Sequence, residues 1–166
     1  MPAASVASTR LRTWTSVAAA FLFGALSCAQ GLPKEAVVRR VIDGDTVELA
    51  DGRLVRYIGI DTPEMRHREG NRWVSAPEPF AQAATEANQR LVEGKTVQLE
   101  YDVRTHDRYN RLLAYVYVDG EMVNATLLAE GDAQLLTIPP DVKYVERFRT
   151  LAARARQQRR GLWSDR

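Results

Sequence analysis

Most of the residues able to do chemistry sit in three short strings. VIDGDTVEL, residues 41–49, places Asp43 and Asp45 on either side of a glycine, and RYIGIDTPE, residues 56–64, joins Arg56 to Asp61, Thr62 and Glu64. THDRYNRLLAY, residues 105–115, adds Asp107, Arg108, Tyr109 and Arg111. Asp51-Gly52 is a hairpin signal. It folds segment 54–60 back along segment 46–49 and so returns Asp61 and Glu64 to the neighbourhood of Asp45. Carboxylates gathered in this way repel one another unless a cation or guanidinium groups lie among them. A hard cation such as Ca²⁺, held by carboxylates, a backbone carbonyl and water, meets that need. The string is not an EF-hand, because Val47 and Glu48 stand where the loop needs its fifth-position ligand and its glycine. The plain reading of Asp43-Gly44 and Asp51-Gly52 is as turn formers.

The arginines are harder to treat as surface decoration. Arg56 lies between Leu54 and Ile58 on one face of an apolar strand, which places it in a cleft. A buried arginine needs an acidic or phosphate partner. Arg111 opens segment 112–118 in a similar setting. Two guanidiniums and a metal facing one cavity make a phosphate clamp. Strict alternation puts Arg56 on the face opposite Asp61, so the strand must bulge or end near Gly59.

The elements that must carry these residues follow from pattern. Segments 36–42, 46–49 and 54–60 read as an antiparallel meander, and segments 96–101 and 112–118 as two further strands. Residues 64–79, with Pro77, Pro79 and Gly70, read as a long surface loop. Residues 80–93 have helical apolar spacing that starts at Phe80, which is expected in the core, and Gly94 stops them. Asn124 is expected to cap a short helix ending at Gly131, and Asp141 a longer one running to about residue 160. Val145, Phe148, Leu151, Ala152 and Ala155 mark the buried face of that last helix. Five strands with a helix between the third and fourth suggest an α+β protein built on an OB-type barrel.

Composition narrows the classes further. The chain has 166 residues, 45% hydrophobic and 27% charged, with one Cys and two His. That excludes disordered, collagen-like and coiled-coil chains. It also excludes an internal disulfide or a cysteine zinc site. Residues 1–29 carry Arg10 and Arg12, no acid, an apolar run from Trp14 to Leu26, and Ser27-Cys28-Ala29. This is the pattern of a secretory signal peptide, so export is expected, with residues 30–35 as a linker and 36–166 as the domain. Cleavage after Ala29 is favoured over a loose lipoprotein box at Cys28, which would anchor the chain to a membrane. Without residues 1–29, the formal net charge of +2 falls to zero.

Together the strings IDGDTV, RYIGIDTPE, DRYNRLLAYVY, DGEMVN and GLWS, in this order, resemble the staphylococcal (micrococcal) nuclease family from about Val37 to Trp163, nearly the whole chain after residue 29. The resemblance implies an OB-fold, Ca²⁺-dependent endonuclease that hydrolyses DNA or RNA and leaves 3′-phosphate products. By position, Asp45 and Asp61 match the Ca²⁺ carboxylates, and Thr62 the residue lending a carbonyl. Glu64 matches the glutamate that orients or deprotonates water, and Arg56 and Arg111 the phosphate-holding arginines. Asp43 is a neighbour expected to contact metal-bound water, while Arg108 and Tyr109 lie where the substrate phosphate is met. No stable protein partner is implied, and a monomer is expected.

One stretch departs from the family. Residues 134–139, QLLTIP, replace a tyrosine-bearing segment that holds the base, which leaves Trp73 and Phe80 as substitutes for base stacking. Residues 143–166 carry a local charge of +6 and read either as a polynucleotide-attracting face or as a solvated helix. His67 and His106 stand alone in polar segments and receive no role. The rival to the enzyme reading is a catalytically silent OB module that binds nucleic acid or protein. Such a binder needs none of the acids.

Overall fold

Alternation of apolar side chains builds the first three strands: β1 (Glu35–Asp43), β2 (Thr46–Leu49) and β3 (Leu54–Tyr57), a continuous antiparallel meander. The computed structural model describes residues 31–70 and 72–164, apart from the side chains of residues 66–69 and of Trp73. The leader, the processing alternatives at Cys28 and the stacking role weighed for Trp73 lie outside the described residues. β7 (Thr96–Glu100) pairs antiparallel with β1 on one side and with β8 (Leu112–Val118) on the other. β8 then pairs parallel with β3, with Val55 opposite Leu112 and Arg56 opposite Leu113. The sheet thereby closes on itself as a five-stranded OB-type barrel, which leaves no open edge between β3 and β8. Val38, Val47, Val55, Tyr57, Val97, Leu112, Ala114 and Val116 fill its interior.

The third strand ends early, as the conflict between Arg56 and Asp61 requires. β3 stops at Tyr57, and a separate short strand β4 (Ile60–Asp61) pairs with β10 (Gln134–Leu135), placing Gln134 opposite Asp61. Gly59 makes the break, at φ +83°, and a Cβ there would lie 2.6 Å from the Phe148 ring. Only glycine meets both demands. Asn124 fixes the break from the other side. Its side chain is fully buried, accepts from Val116 N–H at 2.9 Å and donates to the Ile58 carbonyl at 2.9 Å.

That arrangement corrects the capping role expected of Asn124, since α2 (Val123–Glu130) begins one residue earlier. Asp141 is not a cap either. It is buried, accepts Arg104 N–H at 2.8 Å and Arg104 Nε at 2.7 Å, and α3 (Val145–Gln157) starts four residues later. The expected loop at 64–79 contains a hairpin, β5 (Arg66–Glu69) with β6 (Arg72–Ser75). Its first strand is wholly polar and so carries no alternation to read. α1 (Ala81–Val92) matches its expected span, but Phe80 is 38% exposed and left-handed at φ 70°, immediately before the helix and outside the core. The expected stripe of α3 faces inward, with Phe148 and Ala155 buried and Tyr115 edge-on to both Tyr144 and Phe148. β9 (Glu121–Met122) and a 3-10 turn at Gly161–Trp163 complete the described elements. Pro33 and Lys34, read as linker, are tied down through their carbonyls by Tyr101 Oη and Leu99 N–H. Among the described residues no helix is long and apolar enough to cross a membrane.

Candidate active site

The β1–β2 turn supplies the most buried charge among the described residues. Asp45 is fully buried, and its carboxylate is held from three directions. Thr62 N–H donates to Oδ2 at 3.0 Å, the Thr46 hydroxyl donates to Oδ1 at 3.2 Å, and Arg56 Nη1 ion-pairs with Oδ1. Its backbone carbonyl accepts Tyr57 N–H at 2.9 Å, locking the turn against β3. Gly44 permits this approach, because a Cβ there would stand 2.8 Å from the Thr62 side chain. The glycine read as a turn former therefore also admits the Asp61–Glu64 segment.

Arg56 bridges the two carboxylates expected to share a metal. Its second amino group, Nη2, donates to Asp61 Oδ1 at 2.6 Å. The Arg56 side chain is 13% exposed and that of Asp61 50% exposed, so the pair runs from a buried floor to a solvent-reached edge. Registry sets the second arginine beside the first. Val55 and Leu112 pair and face the core, so Arg56 on β3 and Arg111 just before β8 share the outer face.

Arg111 is oriented by Asp107, which the sequence alone did not single out as its partner. Asp107 Oδ2 accepts Arg111 Nε at 2.7 Å, and Oδ1 accepts the backbone N–H groups of Tyr109 at 2.8 Å and Arg111 at 2.9 Å. Burial pushes the Asp107 carboxyl up, but these donors outweigh it and leave the group below the ordinary aspartate range. The exposed Tyr109 ring takes Arg108 on one approach, 4.7 Å from its centroid, and Arg111 on another, 5.6 Å away. Both substrate-contact candidates thus stand beside Arg111 at the mouth of the site.

Glu64 is exposed yet electrostatically tied to the whole group. Partial burial, then the negative charges of Asp43 and Asp61, raise its carboxyl above the ordinary glutamate range, against the pull of Arg56 and Arg111. Burial likewise raises Asp43, opposed by Arg56, Thr46 and Arg111. The cluster holds two more carboxylates (Asp43, Asp45, Asp61, Glu64) than guanidiniums, and at Glu64 the charges of Asp43 and Asp61 add to the effect of burial. The backbone of Glu64 is clasped by Glu78, with Glu64 N–H donating to Oε2 at 3.3 Å and Glu78 N–H donating to the Glu64 carbonyl at 3.0 Å.

Two supporting residues escaped the reading of the sequence. Asn88, fully buried on α1, accepts the Tyr57 hydroxyl at 3.0 Å and donates to the Asp43 carbonyl at 3.2 Å, pinning the turn that carries Asp43 and Asp45. A polar residue on the inward stripe of an amphipathic helix was its only signal. Glu78 sits among prolines and offered none.

The carboxylate oxygens and the local excess of negative charge suit a hard divalent cation, which would compete with the Arg56 guanidinium for Asp45 and Asp61. Among the described residues no three His, Cys, Asp or Glu side chains converge closely enough to hold a metal by themselves. A ligand set drawn from Asp45, Asp61 and the Thr62 carbonyl asks for only two side chains.

The family model described as staphylococcal nuclease homologue matches residues 54–165, a span that includes Arg56, Asp61, Thr62, Glu64, Arg108, Tyr109 and Arg111. The chain is 39% identical to endonuclease YncB of Bacillus subtilis (strain 168), over 75% of this chain and 59% of that protein. It is 38% identical to the SPbeta prophage-derived endonuclease YokF of the same organism, over 75% and 42% of the two. It is also 37% identical to the thermonuclease of Staphylococcus hyicus, over 77% and 75%. The chain thus spans about three-fifths or less of the two Bacillus relatives.

Proposed function

The chain belongs to the staphylococcal nuclease family, and on that premise we propose that it is a Ca²⁺-dependent endonuclease hydrolysing phosphodiesters in DNA or RNA. The observation that carries the reading is a single cluster in which Arg56 and Arg111 act on the charge of Glu64 while Arg56 joins the buried Asp45 to the half-exposed Asp61. A silent binding module has no use for this excess of carboxylates.

In the proposed reaction the substrate phosphate lies across the outer face of β3 and β8. Arg111 presents its guanidinium there, aimed by Asp107, and donates to a non-bridging oxygen. Arg56 has five N–H donors. Its two terminal nitrogens engage Asp45 and Asp61, and the remaining N–H groups are available to the same phosphate. Together they stabilise the negative charge that develops as water attacks phosphorus. Glu64 holds that water and accepts its proton, a contribution of about 10²–10⁴-fold for a positioned base, and its raised pKa makes it the better proton acceptor. Cleavage of the bond to the 5′ oxygen leaves a 3′-phosphate, and the departing 5′ oxygen takes up a proton from solvent water to become a hydroxyl. Asp45, Asp61 and the Thr62 carbonyl would hold the cation, with Asp43 contacting its waters. When bound, the cation supplies Lewis-acid neutralisation of a phosphate oxygen.

Incubation with single-stranded DNA and with RNA, in Ca²⁺ and then in chelator, tests the reading. Ca²⁺-dependent products ending in 3′-phosphate support it. No hydrolysis under either condition returns the chain to the binding-module alternative. Export through residues 1–29 is part of the same proposal. The mass of the mature N-terminus checks it, with Gln30 as the expected first residue and a diacylglyceryl-cysteine at Cys28 as the contrary result.

A further inference from the structure

A second charged feature lies next to the cluster and takes no part in the reaction above. Gln134, Arg156, Arg159 and Trp163 line an open cleft of about 460 Å³. It begins beside the reacting groups, because Gln134 is the cross-strand partner of Asp61. It extends to the end of α3, where Arg156 occupies the last turn and Arg159 lies just past the helix.

The Arg156 side chain and the Arg159 backbone are held in place. The Arg156 guanidinium stacks on the Trp163 indole at 4.3 Å from the ring centroid. Trp163 is only 7% exposed, so it serves as a platform for Arg156 and offers no face to a base. Arg159 sits in left-handed backbone at φ 51°, and its N–H donates to the Arg156 carbonyl at 3.2 Å. Elsewhere on this segment Arg149 and Arg160 are paired with Glu146 and Glu130. Among the described residues no carboxylate pairs with Arg156 or Arg159. One guanidinium seated on Trp163 and a second, exposed one on the same rim, with a neutral amide towards the catalytic cluster, form a donor set for phosphodiester oxygens.

We propose that this cleft is a remote phosphate subsite, binding the backbone of a single-stranded polynucleotide beyond the bond being cut. The inference rests on the nuclease reading for its substrate class. Contacts outside the reacting cluster add binding to long substrates and none to a dinucleotide, so they lower KM without changing kcat.

The test compares the full chain with Arg156→Gln, Arg159→Asn and the double variant. Asparagine is chosen at 159 because it tolerates the left-handed backbone. Binding of a labelled dinucleotide and of a long single-stranded oligonucleotide is measured by fluorescence anisotropy in chelator, and hydrolysis of both in Ca²⁺. The double variant is expected to bind the long strand about tenfold more weakly and to lose about 1.4 from the salt slope of log K, as for two phosphate contacts on a single strand. KM for the long strand rises with kcat unchanged, and the dinucleotide is unaffected. Arg156→Lys, which keeps the charge, restores most of the salt slope. If the Arg156 variants unfold, Arg159→Asn alone carries the test, with half the slope change expected. Equal losses on both lengths, unchanged binding of the long strand, or no binding of it by the wild type would overturn the subsite. A wild type that binds long strands through these arginines yet hydrolyses nothing supports the cleft and sinks the nuclease reading. Hydrolysis of both lengths with binding unmoved by the double variant does the reverse.

Discussion

Each arginine of the site is aimed by carboxylates, and the two cases differ in what removal would cost. Arg56 neutralises the fully buried Asp45, so Arg56→Ala leaves a buried charge without its partner. A loss of about 3–5 kcal/mol in urea unfolding is expected, together with loss of activity. Arg111 pairs with the partly exposed Asp107, so Arg111→Ala should leave the fold nearly intact while lowering kcat by about 10²–10³. Asp107→Ala should act through Arg111, lowering kcat by about tenfold or more with little change in unfolding midpoint; an unchanged kcat would show that Arg111 needs no aiming. The ion pairs could not be read from the sequence to the same degree as the residues themselves. Arginines in apolar strands and acids around turns are conspicuous by type. Asp107 as the partner of Arg111, and Asn88 as the pin of the Asp43 turn, depend on contacts that no local pattern encodes.

At the scale of elements, the break between β3 and β4 decides whether Arg56 and Asp61 can meet. Gly59→Ala combines a left-handed backbone with a contact inside the Phe148 ring. It should destabilise the fold by about 1–3 kcal/mol, since overpacking a filled core costs that much, and should disturb the Arg56–Asp61 pair; a stable, fully active variant would remove the break from the account. The start of α3 depends on charge. Glu100 on β7 accepts from Lys143 Nζ, from the Tyr117 hydroxyl at 2.6 Å and from the Tyr144 hydroxyl at 3.0 Å. Burial raises its carboxyl, but these donors prevail and hold it below the ordinary glutamate range. A lowered folded-state pKa contributes stability above the unfolded value of about 4.3, and that contribution is lost as pH falls through the folded value. Unfolding midpoints measured on either side of pH 4 should therefore drop in acid, and Glu100→Gln should flatten the dependence. Barrel strands and α1 were legible because burial imposes period 2 or 3.6 on them. The β5–β6 hairpin has a wholly polar first strand and was not. Asn124 and Asp141 looked like caps by type, but tertiary partners claimed their side chains first.

Across residues 32–164 the charge is segregated, with excess carboxylates in one cluster on the outer barrel face and arginines along α3 and beyond. Net charge said nothing about a partner once residues 1–29 were set aside, whereas scarcity of Cys and His pointed to oxygen ligands. A cation that binds the folded chain alone should raise its unfolding midpoint with concentration. Ca²⁺ is expected to do so, chelator to reverse it, and Asp61→Asn, half-exposed and tolerant of the change, to abolish it. No shift in the wild type would contradict a resident Ca²⁺ site. The most direct test of the central claim is the rate of cleavage of an end-labelled single-stranded DNA by wild type and by Glu64→Gln, both in Ca²⁺, with melting curves recorded on the same samples. The expected result is cleavage by the wild type, a fall of about 10²-fold or more in the variant, and matching melting curves. An inactive wild type, or a folded Glu64→Gln that cleaves as fast, would contradict the account.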